Sequence, residues 1–296
     1  MLSRHLVQAA LAGAFFGTSS IFVRLMPNLS ASSITFYRLG LASIFLAAAM
    51  LLLSGGHSRS FRHLGRLSVL GLLLGLHVIL FTASVKSTTI LNAATLVNTT
   101  PVWALVLSAV VWRQAPELRA LVGTVVAFIG VAAITAFQYA YSPEYLVGDL
   151  MAVASAWMWA FYLSLARPLR QLSDPLLLMP FIYGVASLTA LVGSVLVGDP
   201  VRAPVAEEVP ALLGQALVPT ALGHTLQLSS LKSLTPHQAA TFALLEPVVA
   251  TALGVAVFSE VPRLEFFAGA ALVCTGIYIV AGRRVPPENR QRFNFY

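Results

Sequence analysis

Glu246 is the residue of this 296-residue chain best placed to do chemistry. It is the only charge in the long apolar run between Lys232 and Glu260, and Pro247 follows it directly. About nine residues into a helix, at roughly 1.5 Å per residue, it lies roughly 13 Å from the helix start. An ionisable group at such a depth in lipid costs at least a few kcal/mol, which makes it a functional candidate. Pro247 has no amide proton, so the carbonyl of Ala243 loses its helical donor. A carboxylate beside a free carbonyl suits proton coupling or contact with a substrate amine. The plainer alternative is a structural carboxylate paired across helices.

Arg38 is the only charge between Arg24 and Arg59. It sits roughly 10 Å deep from the opposite face. Its long side chain can therefore meet Glu246 and form a gate or anchor; otherwise it snorkels or binds a substrate carboxylate. His77 and His224 lie near the middle of equivalent helices, one position out of register. Both can bind or relay protons, or serve as hydrogen-bonded interior histidines. Asn98 opens the polar run Asn98-Thr99-Thr100-Pro101, and here Pro101 frees the carbonyl of Val97. It is expected either to line a cavity or to bond a neighbouring helix. Tyr183, Trp159 and Phe16 fall well inside apolar runs rather than at the interfaces where aromatic residues collect. They suit an aromatic-lined cavity, with generic packing as the alternative. Trp157 is two residues from Trp159 and cannot share its direction on a helix. No HxxxH motif, Cys/His cluster or Gly-x-x-x-x-Gly-Lys loop occurs, so neither a metal nor a nucleotide cofactor is expected.

These residues sit on a duplicated frame. Residues 84–134 laid over 230–280 without a gap give roughly 16 identities in about 51 pairs. Lys86-Ser87 falls on Lys232-Ser233, Ala93-Ala94-Thr95 on Ala239-Ala240-Thr241, and Pro101-Val102 on Pro247-Val248. Pro116, Gly123 and Gly130 fall on Pro262, Gly269 and Gly276, and Thr100 is the non-acidic counterpart of Glu246.

The chain is 58% hydrophobic and 10% charged, with a mean hydropathy of +0.83. A soluble domain carries about a quarter charged residues, so this is an all-α integral membrane protein whose partner is the lipid bilayer. The net charge of +7 is not a nucleic-acid footprint, because the charges lie between apolar runs. The single Cys274 allows no intrachain disulfide.

A membrane span takes about 20 apolar residues, and ten can be cut: 6–26, 32–53, 64–85, 90–112 and 118–137, then 146–166, 175–197, 209–231, 238–259 and 264–281. The first is too long for a signal segment and is expected to be retained. Span 209–231, with Pro219, His224 and Gln227 inside it, is the least regular. Placing the N-terminus inside puts roughly 13 basic residues on the cytoplasmic side against about 3 opposite, so both termini are expected to be cytoplasmic. Five spans per half is an odd number, so residues 1–140 and 141–282 are expected to form two inverted five-helix repeats, followed by a polar cytoplasmic tail at 283–296. Inverted repeats are a common architecture of secondary transporters.

Two five-helix halves, Phe16-Gly17 matched by Trp159-Ala160, and a proline in spans four and nine resemble the drug/metabolite transporter superfamily, EamA type. That family tends to carry an acidic residue where spans four and nine end; Glu260 fits and Gln114 departs from it. The resemblance implies ten helices, alternating access and, in bacteria, frequent export of amino acids, other metabolites or drugs. The expectation is a carrier in the cytoplasmic membrane. It would move a small organic metabolite, an amino acid or related amphipathic compound, outward and with a proton as the candidate coupling ion. The expected substrate-binding residues are Phe16, Arg38, His77, Asn98, Trp159, Tyr183, His224 and Glu246. The alternatives are a multidrug or nucleoside/cofactor carrier of the same architecture, and a membrane-embedded lipid-modifying enzyme. The enzyme would need clustered carboxylates or histidines, whereas only Glu246 is deeply placed. Cargo identity and oligomeric state are not encoded in any motif.

Overall fold

A computed structural model describes residues 4–53, 64–111, 117–135, 143–258 and 264–281. Glu260, Gln114, the tail at 283–296 and the far ends of expected spans 90–112, 118–137 and 238–259 lie outside the described residues. The described residues are helical throughout, with no strand. The first half holds α1 (Arg4–Phe16), α2 (Ser19–Arg24), α3 (Ala31–Leu53), α4 (Leu64–Ser87), α5 (Ile90–Val97), α6 (Thr100–Val110) and α7 (Leu118–Thr135). The second holds α8 (Leu146–Leu172), α9 (Pro175–Leu196), α10 (Val209–Gln215), a π-helical stretch Ala216–His224, α11 (Thr225–Ser230), α12 (Pro236–Ala243), α13 (Glu246–Phe258) and α14 (Leu264–Ala281).

Seven helical segments among the described residues are long and apolar enough to cross a membrane, and α7 and α14 are shorter apolar helices. Their outer faces fit that reading: Leu52, Leu196 and Leu264 are 84%, 80% and 83% exposed. Such side chains are stable on a surface covered by lipid and not by water.

Helix starts follow from local chemistry. Thr89 caps α5 by accepting from the Asn92 amide at 3.0 Å. Its counterpart Thr235 caps α12 in a capping box with Gln238, whose Oε1 accepts from the Thr235 amide at 3.0 Å. Asp174 accepts from the Leu176 amide at 2.9 Å, and Pro175 supplies the pre-set first turn of α9.

Four of the expected spans are not continuous α-helices. Residues 98–99 and 244–245 are turns that split α5 from α6 and α12 from α13 at the same position of the duplicated pattern. Each break lies two residues before a proline, which removes a ladder bond and crowds the preceding turn. At the α1–α2 break the Thr18 hydroxyl donates to Phe15 O at 2.7 Å, a local bond that competes with the helix ladder. In the span at 209–231, Pro219 cannot donate to Gln215 O. The ladder shifts by one residue into the π-helical stretch, and the Thr220 hydroxyl donates to Gln215 O instead, at 2.7 Å.

The elements pair closely. α3 packs on α9, and α7 on α14. α4 packs on α8 and α9, while the segment from α10 to α11 packs on α1 and α3. α5 and α6 pack on α8, whereas α12 packs on α1, and α13 on α1 and α2. Gly13 and Gly17 allow the last contact: a Cβ on Gly13 would run into Phe242 O, and one on Gly17 would stand 2.9 Å from Glu246 O. The break between α1 and α2 therefore lies directly against the break between α12 and α13.

Candidate functional site

One cavity of about 540 Å³, its open mouth included, lies where these breaks meet. Seven of the eight expected residues line it: Phe16, Arg38, His77, Asn98, Trp159, His224 and Glu246. The eighth, Tyr183, does not. It is fully buried between helices, where its hydroxyl donates to Thr220 O at 2.6 Å. Its role is to hold the π-helical stretch, and a mid-span tyrosine with its hydroxyl satisfied by a backbone carbonyl leaves no group for a cavity.

Arg38, on α3, is 2% exposed. Its Nε donates to Thr220 Oγ1 at 2.9 Å. A guanidinium has only donors, so the Gln215 amide turns its oxygen toward it. In that orientation Gln215 accepts from Arg38 Nη1 at 2.7 Å and from Ser19 Oγ at 2.9 Å, and its nitrogen donates to Ser19 O at 3.2 Å. Arg38 is thus tied to the π-helical stretch, and among the described residues no ion pair within 4.0 Å joins it to Glu246. Of the alternatives open to Arg38, the direct pair is not formed: two opposite charges line one cavity apart. Thr220 and Gln215, with Ser19 behind Gln215, are partners that the sequence does not announce, because the contacts join residues 38 with 215 and 220 and 19 with 215, far apart in the chain.

Glu246 opens α13 and is partly exposed to the cavity. Its carboxylate accepts no hydrogen bond from any described residue. Asn98, at the equivalent break, is buried and self-contained: its Nδ2 donates to Ala94 O at 2.6 Å. Thr99 and Thr100 likewise turn their hydroxyls onto Leu96 O and Val97 O at 2.6 and 2.7 Å.

The wall opposite is aromatic. Trp159 is stacked between His77 and Tyr162, with ring centroids 4.7 Å away on each side. Phe16 and His224 complete the cluster, each edge-on to Trp159 at 6.4 and 4.8 Å. Trp157 instead packs in tilted contacts against Trp103 and Phe161 and does not line the cavity, as the two-residue spacing requires. His77 Nδ1 lies 3.1 Å from Ser155 O and 2.9 Å from Ser155 Oγ, which itself donates to His77 O at 2.9 Å. A carbonyl only accepts, so Nδ1 carries the hydrogen and Nε2 of the neutral ring is an acceptor. His224 differs: its Nδ1 is buried without a partner. Ser155 is a further positioning residue the sequence alone does not reveal.

Among the described residues no cluster of three or more metal-ligating side chains occurs. What the cavity offers is one cation, one unpartnered carboxylate and an aromatic wall, enclosed by apolar helices: the furnishings of a membrane transport protein's solute site. Residues 4–136 and 146–282 each match the EamA-like transporter family. The chain belongs to that family, as a multi-pass membrane protein holding two copies of its repeat. A protein of Archaeoglobus fulgidus named "Uncharacterized transporter" is 24% identical over 293 residues, covering 96% of this chain and 99% of that one. A second protein of that organism with the same name is 25% identical over 198 residues, 65% of this chain and 68% of its own. A solved structure titled "Crystal structure of protein" shares the fold with a TM-score of 0.79 at 18% identity, over 95% of this chain and 99% of its own.

Proposed function

We propose that the chain carries a small organic metabolite, an amino acid or related amphipathic compound, across the cytoplasmic membrane by alternating access. One observation carries the cargo class: Arg38 and Glu246 line the same cavity without pairing with each other. Opposite charges in a low-dielectric site attract strongly. Keeping them apart makes sense where a zwitterion enters between them, its carboxylate toward Arg38 and its ammonium toward Glu246. Phe16 and the edge of Trp159 then meet the apolar part of the cargo.

Ten helices arranged as two inverted repeats, residues 1–140 and 141–282, would supply the moving parts. The packing pairs support this. Exchanging each first-half element for its counterpart turns α4 on α8 into α10–α11 on α1, and α4 on α9 into α10–α11 on α3. It also returns the α3–α9 and α7–α14 pairs to themselves. Both termini would face the cytoplasm, export would be the working direction, and the unpartnered carboxylate of Glu246 is the group through which a proton would couple. Counterflow of labelled amino acids in proteoliposomes tests the reading. Saturable exchange of at least one is expected; no exchange above empty liposomes for any amino acid, with intact protein, overturns it.

A further inference from the structure

The two proline breaks are finished differently, and the difference marks a seat for one chemical group. In the first copy the side chains of Asn98, Thr99 and Thr100 turn back onto the carbonyls of Ala94, Leu96 and Val97. In the second copy the equivalent residues are Leu244, Leu245 and Glu246. Leucine has no side-chain donor and a carboxylate only accepts. The Leu244 amide, which would reach Ala240 O in a continuous helix, donates to Thr241 O at 3.1 Å. The residue that would donate to Ala243 O is Pro247, which has no N–H. No side chain among the described residues donates to either carbonyl. Ala240 is fully buried, whereas Ala243 and Glu246 both line the cavity and keep some exposure.

We infer that Ala243 O and the two oxygens of the Glu246 carboxylate form a primary-ammonium seat at the α12–α13 break. This rests on the chain being a carrier of small organic solutes and names the group by which it recognises them. A primary ammonium has three N–H donors, and Ala243 O with the two carboxylate oxygens makes three acceptors. The carboxylate is charged, and a charge-assisted hydrogen bond is about twice as strong as a neutral one. Ala243 O ends α12, where the helix dipole adds negative potential. Carbonyls exposed at broken helices are a general means of holding cations within membranes. The seat also explains why the two copies diverge at Thr100 and Glu246: one break is closed as structure, the other kept open.

The faces of Trp159 are covered by His77 and Tyr162, so a stacked cation–aromatic contact there is not the alternative source of selectivity. The seat distinguishes donors from bare charge. A quaternary ammonium carries the same charge with no N–H, and should lose most of the interaction.

The test is binding to the purified full-length protein, read as thermal stabilisation. The probes are 2-phenylethylamine and its N,N,N-trimethyl derivative, each titrated in choline chloride and in sodium chloride. The primary amine is expected to bind at least about tenfold more tightly than the trimethyl compound, a difference of about 1.4 kcal/mol, equally in both salts. Glu246→Gln is expected to abolish the preference. Pro247→Ala, which keeps the carboxylate but restores a donor to Ala243 O, is expected to reduce it at least about threefold. Equal binding of the two probes, absence of primary-amine binding, or competitive displacement by sodium overturns the seat. The wild-type comparison needs no variant to fold, and none of these results depends on amino-acid counterflow, which judges the carrier reading separately.

Discussion

The break at Asn98-Thr99 and the break at Leu244-Leu245 occupy the same place in a duplicated sequence, yet only the first is chemically complete. Around Asn98, Thr100 Oγ1 donates to Val97 O, the carbonyl that Pro101 leaves without an amide. Asn98 and Thr99 add side-chain bonds to carbonyls that already accept backbone amides, and Trp103 Nε1 donates to Thr99 Oγ1 at 3.0 Å, locking the turn further. Around Leu244 the backbone amides reach Thr241 O and Phe242 O, but among the described residues no side chain donates to Ala243 O, and the polar side chain at the break, Glu246, faces the cavity. A buried polar group left without a partner costs about 1–3 kcal/mol. An unfinished break therefore survives where a ligand completes it, while a finished one is a structural kink. Proline creates both; the residues just before it decide which kind results.

Three substitutions sharpen or break that contrast. The largest effect is expected from Glu246→Gln, which removes the charge and keeps the shape. Solute exchange in proteoliposomes should fall by about tenfold or more, about 1.4 kcal/mol at the transport step, with the melting temperature unchanged. Wild-type exchange would remove Glu246 from the mechanism. Next is Pro247→Ala, which lets the second break close on itself. Exchange should fall about threefold while stability rises, since a ladder bond and helix propensity are regained. A loss of stability would show that the kink is required by packing. The smallest transport effect is expected from Thr99→Val, at the finished break and away from the cavity lining. It orphans Trp103 Nε1, so denaturation should report about 1–2 kcal/mol lost, with exchange within about twofold of wild type. A transport defect as large as that of Glu246→Gln would mean the two breaks act alike.

Much of the frame and about half of the cavity wall are legible in the sequence. The repeat shows in the register of Lys86 with Lys232 and Pro101 with Pro247, and Pro101 and Pro247 announce freed carbonyls at Val97 and Ala243 because proline chemistry is local. The aromatic and histidine wall follows from polar and ring side chains sitting where lipid would exclude or strand them. Other features are not legible there. The α1–α2 break depends on one hydroxyl, Thr18, competing for Phe15 O, which composition does not flag. The partners of Arg38 are long-range: Thr220 and Gln215 lie in the least regular span, where Pro219 shifts the ladder into a π-helix. That shift presents the Thr220 hydroxyl to Arg38, so of the alternatives open to Arg38 a direct pair with Glu246 is the one not formed. Tyr183 reads like a cavity residue until its hydroxyl is found on Thr220 O.

The most direct test is access to the unfinished break itself. The chain's one cysteine, Cys274, is replaced by alanine and Ala243 by cysteine, and a membrane-impermeant maleimide is applied to oriented vesicles from either face. The account predicts labelling at Ala243→Cys, blocked by a transported solute, and no labelling at Thr99→Cys. Labelling of neither position, or labelling of Ala243→Cys that solute does not alter, would contradict it.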